Sequence, residues 1–113
     1  MIARVWTSRA AKSNLKSYLQ HFSTNVLPEL KRCDGFASAL VLTRDLDAET
    51  EVVVNTFWKN LASIATFAGS DLDVAVVAPE AAALLISYDK RVKHYVVEVH
   101  DSSETVSLFD DRD

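Results

Sequence analysis

Glycine, proline and cysteine are scarce in this 113-residue chain, which has two glycines, two prolines and one cysteine. With only Gly35 and Gly69 available, no glycine-rich loop can cradle a phosphate, which argues against nucleotide and dinucleotide cofactors. With Cys33 alone, no disulfide can close within the chain, and a reducing cytoplasm fits that composition. No apolar run is long enough to span a bilayer, because residues 75–78 and 81–86 are separated by Pro79 and Glu80. The opening MIARVWTSR carries Arg4 and lacks the continuous apolar core of a signal segment. A soluble cytoplasmic protein with no membrane partner is therefore expected. Positive charge is also short. The net charge is −4, and the pair Lys31–Arg32 is too brief to follow a phosphate backbone, so no nucleic-acid partner is expected. The three histidines, His21, His94 and His100, are far apart and the acidic residues sit mostly in loops, so no metal-ligand spacing stands out. Neither a metal nor another cofactor is expected.

What is present reads as one globular domain, with 49% hydrophobic and 25% charged residues. Residues 2–7 (IARVWT) are β-rich and predict a first strand, with Ser8 as N-cap of the helix that follows. Leu15, Tyr18, Leu19, Phe22, Val26 and Leu30 fall at helical spacing, so one stripe of that helix is buried. Pro28 should kink or end it near Leu27. Asp34-Gly35 is a turn signal. Residues 36–44 and 51–58 predict two strands joined by the polar loop 45–50, close enough in sequence to pair antiparallel. Asn60 caps a short helix carrying Leu61, Ile64 and Phe67, and Gly69 ends it. Ser70 and Asp73 suggest a capping box for a further helix over 71–77. Residues 80–87 suggest another helical turn or two, and 91–100 a fourth strand. The domain spans 1–100, and 101–113 form an acidic tail.

The order β-α-β-β-α-(α)-β with right-handed crossovers predicts an α+β, ferredoxin-like plan: a four-stranded antiparallel sheet with helices on one face. Both faces of the third strand are apolar, Val52, Val54 and Trp58 on one and Val53 and Phe57 on the other. Helices can cover only one face. A second copy of the chain is the simplest cover for the other, so a homodimer is expected.

The opening MIARVW, the block Trp58-x-Asn60…Phe67-Ala68-Gly69 and the closing Val92-x-His94-Tyr95-x-Val97 resemble the antibiotic-biosynthesis-monooxygenase-like domains of the dimeric α+β barrel superfamily. The resemblance covers about residues 1–99. It implies a homodimer whose two sheets close into a barrel, with a pocket in each subunit between sheet and helices. Members of that family include cofactor-independent oxygenases acting on polyketide aromatics, and haem-degrading monooxygenases. Trp58 matches the tryptophan that haem-degrading members carry ahead of the second helix. Their strand-one asparagine is replaced here by Thr7, and no histidine lies between His21 and His94 to serve as axial ligand. The quinone-forming oxygenases use an asparagine and a tryptophan on strand three. Asn55 and Trp58 correspond, although a separation of three puts them on opposite faces unless a bulge rephases the strand.

The residues themselves leave two readings open. Trp58 is either a core indole or the wall of a pocket for a planar substrate, and Trp6 and Phe67 carry the same choice with a stronger lean to core. His94, the one histidine inside a predicted strand, is either a hydrogen-bonded structural residue or an acid–base group. His21 is expected on a solvent-facing flank. Cys33 has Lys31 and Arg32 nearby, which would lower its pKa. The implied function is a small cofactor-independent monooxygenase-like protein enclosing an apolar, aromatic molecule, with His94 as base and Trp58, Phe67, Asn55 and Trp6 at the pocket. A non-catalytic binding or sensing module is the alternative, as is an isomerase or cyclase on the same barrel.

Overall fold

The computed structural model describes residues 1–103; all of the acidic tail beyond 103 lies outside the described residues. The elements run β1 (Ile2–Ala11), α1 (Lys12–His21), a π-helical turn (Phe22–Val26), α2 (Leu27–Arg32), β2 (Phe36–Leu46), β3 (Glu49–Trp58), α3 (Leu61–Ala68), α4 (Pro79–Ala82), β4 (Leu85–Tyr88) and β5 (Lys93–Val96). The sheet is antiparallel throughout, ordered β2-β3-β1-β4, with β5 also pairing β1. This is the ferredoxin-like arrangement that the element order predicts.

β3 sits at the centre of the argument. Its burial alternates residue by residue, with Thr50, Val52, Val54, Thr56 and Trp58 turned inward. That period of two is what one buried sheet face requires. The inward residues meet Tyr18, Phe22 and Leu30 of the first helical segment, Ile64 of α3 and Ala81 of α4. Burying one such side chain fully, as with Ile64, contributes about 2 kcal/mol. The opposite face presents Val5, Leu40, Leu42, Val53 and Phe57, and by register Asn55 lies between Val5 and Leu40. Leu42 is 47% exposed and Tyr95 53%, so this surface has apolar side chains and, among the described residues, no helix over it.

Four sequence expectations change. β1 continues to Ala11, because all ten of its residues find partners on β3. Ser8 is therefore not a helix cap; it is buried in the strand and its hydroxyl donates to the carbonyl of Val52. No helix forms over 71–77. The Asp71 carboxylate accepts from the Asp73 backbone N–H, an Asx turn that competes with a helix start. The apolar stretch after Pro79 is helical only to Ala82, and Leu85–Tyr88 becomes β4. The fourth sheet position is thus filled by two short strands end to end. β4 pairs with Ser8–Ala10 and β5 with Ile2–Val5, with the irregular residues 89–92 between them.

The kink at Pro28 takes a specific form. Pro28 occupies the first turn of α2 and cannot donate to the turn before it, and there the helix widens to a π-turn, with Leu27 N–H bonding the Phe22 carbonyl. The hairpin loop is also tighter than 45–50: only Asp47 and Ala48 separate the strands, with Asp47 left-handed at φ 69°. α3 keeps its expected ends. Asn60 and Ser63 form a reciprocal capping box, and Gly69 follows the last turn at φ 86°. Gly35 packs against this cap. A Cβ there would meet Ser63 Cβ at 2.4 Å, and its own carbonyl accepts from Lys59 N–H at 2.8 Å.

Candidate functional site

Between the inner sheet face and the helices lies a cavity of about 70 Å³. Its floor is strand: Arg4 and Trp6 from β1, Val54 and Thr56 from β3. Its roof is helical: Tyr18, His21, Phe22, Val26 and Leu30. Phe67 of α3, Val76–Ala78, Ala81 and Val92 close the sides. A larger outer hollow shares His21, Val26, Phe67, Val76 and Ala78 with it and adds polar residues, among them Asn25, Glu29, Arg32 and Glu80. The five shared residues line both hollows, the outer one polar and the inner one largely apolar.

Arg4 organises the polar part of the lining. Its side chain is buried, with the residue 4% exposed. Nη1 donates to the carbonyl of Leu72 and to His94 Nε2 (3.0 Å), and Nη2 donates to the carbonyl of Val74 (2.8 Å). The guanidinium also stands 5.9 Å from the centre of the Phe67 ring. These bonds tie the irregular segment 70–78 to the sheet. Burial lowers the Arg4 pKa, and the charge of Asp73 opposes that shift.

His94 stands behind Arg4 and does not line the cavity. Its Nδ1 lies 3.1 Å from Asp73 Oδ1. A carboxylate only accepts and a guanidinium only donates, so this neutral imidazole carries its proton on Nδ1 and spends its Nε2 lone pair on Arg4. Burial first, and the Arg4 charge second, hold its pKa below the ordinary histidine value against the pull of Asp73.

Trp58 is fully buried and is not a lining residue. Its indole N–H donates to Thr56 Oγ1 at 2.8 Å, and its ring lies 5.4 Å from Phe36 and 6.1 Å from Phe67, centre to centre. It therefore braces two lining residues, Thr56 and Phe67, from behind. Trp6 and Phe67 do line the cavity, and Trp6 donates its N–H to the carbonyl of Asp89 at 2.8 Å. Asn55 lies on the opposite face of the sheet, where its Oδ1 is buried without a partner among the described residues. β3 alternates without a bulge beside Asn55, so the strand never brings it round to Trp58's side. Cys33 departs from its expected activation. Burial, then the charge of Glu29, raises its thiol pKa, and Sγ sits 3.5 Å from the Glu29 carbonyl. Among the described residues, no three His, Cys, Asp or Glu side chains gather as metal ligands, and no helix is long and apolar enough to cross a membrane.

Solved structures share this architecture closely. A candidate antibiotic biosynthesis monooxygenase from Bacillus cereus superposes with TM-score 0.66 at 17% identity, covering 91% of this chain and 96% of that one. One from Deinococcus radiodurans gives 0.58 at 14% identity, over 91% and 98%. The fold is that of the antibiotic biosynthesis monooxygenases. A third such structure, a monooxygenase from Streptomyces coelicolor in complex with nanaomycin D, gives TM-score 0.54 at 15% identity over 90% and 89%. Neither a protein-family model nor a curated protein matches the sequence.

Within this fold, the cavity gathers polar residues that sequence reasoning did not place there. His21 is not on a solvent-facing flank. It lines the cavity, with its Nδ1 2.9 Å from Asn25 Nδ2 and its Nε2 buried without a partner among the described residues. Its spacing of three from Tyr18 was the signal that both share a helix face. Tyr18 also lines the cavity at 3% exposure, and burial pushes its phenol pKa up to about 12. Arg4 had no local signal, because the carbonyls it binds lie 68 and 70 residues away.

Proposed function

We propose that this chain is a small monooxygenase-like protein that encloses an apolar aromatic molecule in the cavity between sheet and helices. The observation that carries the reading is an interior walled by Trp6, Phe22 and Phe67, in a fold whose solved examples include a monooxygenase holding nanaomycin D. The reaction needs no bound cofactor. A phenol-like or enol-like substrate loses a proton to solvent, its carbanion gives one electron to dioxygen, and the radical pair combines to a peroxide anion that takes a proton back. Loss of water then leaves a carbonyl, so that CH₂ and O₂ become C=O and H₂O. The protein contributes position and dryness.

In this scheme Trp6 and Phe67 hold the ring system, and Trp58 fixes the wall behind Phe67. His94 is a positioning residue: its lone pair orients Arg4, and through Arg4 the segment 70–78. The apolar outer sheet face, with Val53 and Phe57 at its centre, is covered by a second copy of the chain in a cytoplasmic homodimer. Asn55 belongs to that covered face rather than to the cavity.

The test is incubation with anthrone under air, read by ligand binding, oxygen uptake and product analysis against a protein-free control. Binding with protein-dependent oxygen uptake and formation of anthraquinone supports the reading. Binding without uptake or product converts it to a sensing module, and product without uptake to an isomerase or cyclase. Absence of binding overturns the enclosure itself.

A further inference from the structure

We infer that the stretch from Val74 to Ala78 is a flap over one side of the cavity, latched by Arg4 and His94 and let go when His94 takes up a proton. The latch is built from the protein's own groups and does not depend on what the cavity encloses.

The flap lies between the Asx turn at Asp71 and the start of α4 at Pro79. Val76, Val77 and Ala78 line the cavity, and Val76 and Ala78 line the outer hollow as well, so a shift of this stretch changes access from one to the other. Few bonds hold it. Arg4 donates to the carbonyls of Leu72 and Val74, and the Ala75 N–H donates to the Lys90 carbonyl at 2.9 Å. Among the described residues no hydrogen bond holds Val76 or Val77, and Val76 is 50% exposed. Arg4 is thus the side chain that ties the near end of the flap to the sheet, reaching it from β1.

His94 sets whether Arg4 can stay. It sits opposite Arg4 in the β1–β5 ladder, where its Nε2 accepts from Arg4 Nη1 at 3.0 Å while its Nδ1–H donates to Asp73 Oδ1 at 3.1 Å. The charged groups around it, among the described residues, are Arg4 from β1, Asp73 from the segment before the flap, and Arg91 from the turn before β5. Arg91 lies 4.0 Å from Asp73 and holds both carboxylate oxygens of Asp71. Protonation puts a hydrogen on Nε2. Two donors and two positive charges then face each other at bonding distance, with no acceptor between them. The imidazolium keeps Asp73, now as an ion pair, so the contact to Arg4 is the one that breaks. As Arg4 withdraws, the carbonyls of Leu72 and Val74 lose their donor, and the Ala75 bond is what remains between Val74 and Pro79. Burial first, and the Arg4 charge second, hold the His94 pKa below its ordinary value, so the flap stays latched at neutral pH and opens in mild acid.

The experiment is amide exchange of the full chain followed by NMR at pH 7.5 and 5.5, each rate being referred to the intrinsic rate at that pH to give a protection factor. A released His94 titrates at about 6.5, so one proton favours opening by at most about tenfold between these values. Ala75 protection is expected to fall by about threefold to tenfold, and at pH 5.5 to lie about tenfold or more below that of Val54 at the centre of β3. His94→Gln presents an amide oxygen to Arg4 and an N–H to Asp73 and takes up no proton, so its Ala75 protection is expected to change by less than about twofold. Arg4→Met has no latch to lose and is expected to show low Ala75 protection at both pH values. Constant Ala75 protection in wild type overturns the switch. So does a His94→Gln chain that shows the wild-type fall. Ala75 protection equal to that of Val54 also overturns it, because the flap then opens only with the whole fold.

Discussion

Thr56→Val is the sharpest probe of how the inner wall is held. The substitution keeps the branched shape and deletes one oxygen, the acceptor for the indole N–H of Trp58 at 2.8 Å. Trp58 is 0% exposed, so water cannot replace that acceptor. A buried donor left unmade costs about 1–3 kcal/mol, and the middle of that range, about 2 kcal/mol, is expected here. Trp58→Phe removes the same donor and shrinks the ring, also at about 2 kcal/mol, mostly through lost packing against Phe36 and Phe67. If the bond is what couples them, the double variant is less damaged than the sum, with a coupling of about 1.5 kcal/mol. Urea unfolding followed by far-ultraviolet circular dichroism measures all four proteins, and a 2 kcal/mol loss moves the midpoint by about 1 M or more. Additive losses, or a Thr56→Val protein within about 0.5 kcal/mol of wild type, would refute the reasoning.

Further outcomes follow from the same geometry. Gly35→Ala forces a side chain onto a backbone at φ 91° and into Ser63, and should cost about 3 kcal/mol in thermal unfolding. Gly69→Ala, at φ 86° but in open space, should cost only about 1 kcal/mol. Because His94 binds its proton less readily folded than unfolded, its contribution to stability is fully present above the ordinary histidine pKa of about 6.5. That contribution declines as pH falls from there toward the depressed native value, and urea midpoints between pH 7.5 and 5 read the slope, which His94→Gln should flatten. Arg4→Met unties the segment 70–78, so amide exchange at Ala75 and Val92, whose N–H groups bond Lys90 and Asp73 carbonyls, should accelerate by mass spectrometry. Light scattering should give twice the 12.5 kDa chain mass for wild type and the single mass for Phe57→Asp.

The fold was legible where a local rule and the tertiary demand agree. β3 reads as a strand from its alternation, and the Asn60 cap and Gly69 stop bracket α3 as their chemistry dictates. It was misread where two local rules compete. Ser8 is a good helix cap, but pairing with β3 along ten residues outweighs one capping bond. Leu84, Leu85 and Ile86 form an apolar run with no period of its own, and the free edge of β1 beside Ala10 decided their state. The site divides along the same line. Trp6 and Phe67 could be picked out because large aromatics in a small domain have few places to go. Arg4 could not, since its role depends on backbone carbonyls of a distant segment that sequence alone does not bring near.

The interruption between β4 and β5 has a consequence for how copies of this chain can meet. An unbroken outer strand offers a row of backbone groups on which foreign strands can add one after another, the route to fibres. Here that row is cut at residues 89–92, where Asp89, Lys90 and Arg91 crowd the gap with charge. Sideways growth is blocked along this border, while the greasy surface lies broadside to it. If copies meet by that surface, as proposed above, they meet face to face rather than along this border.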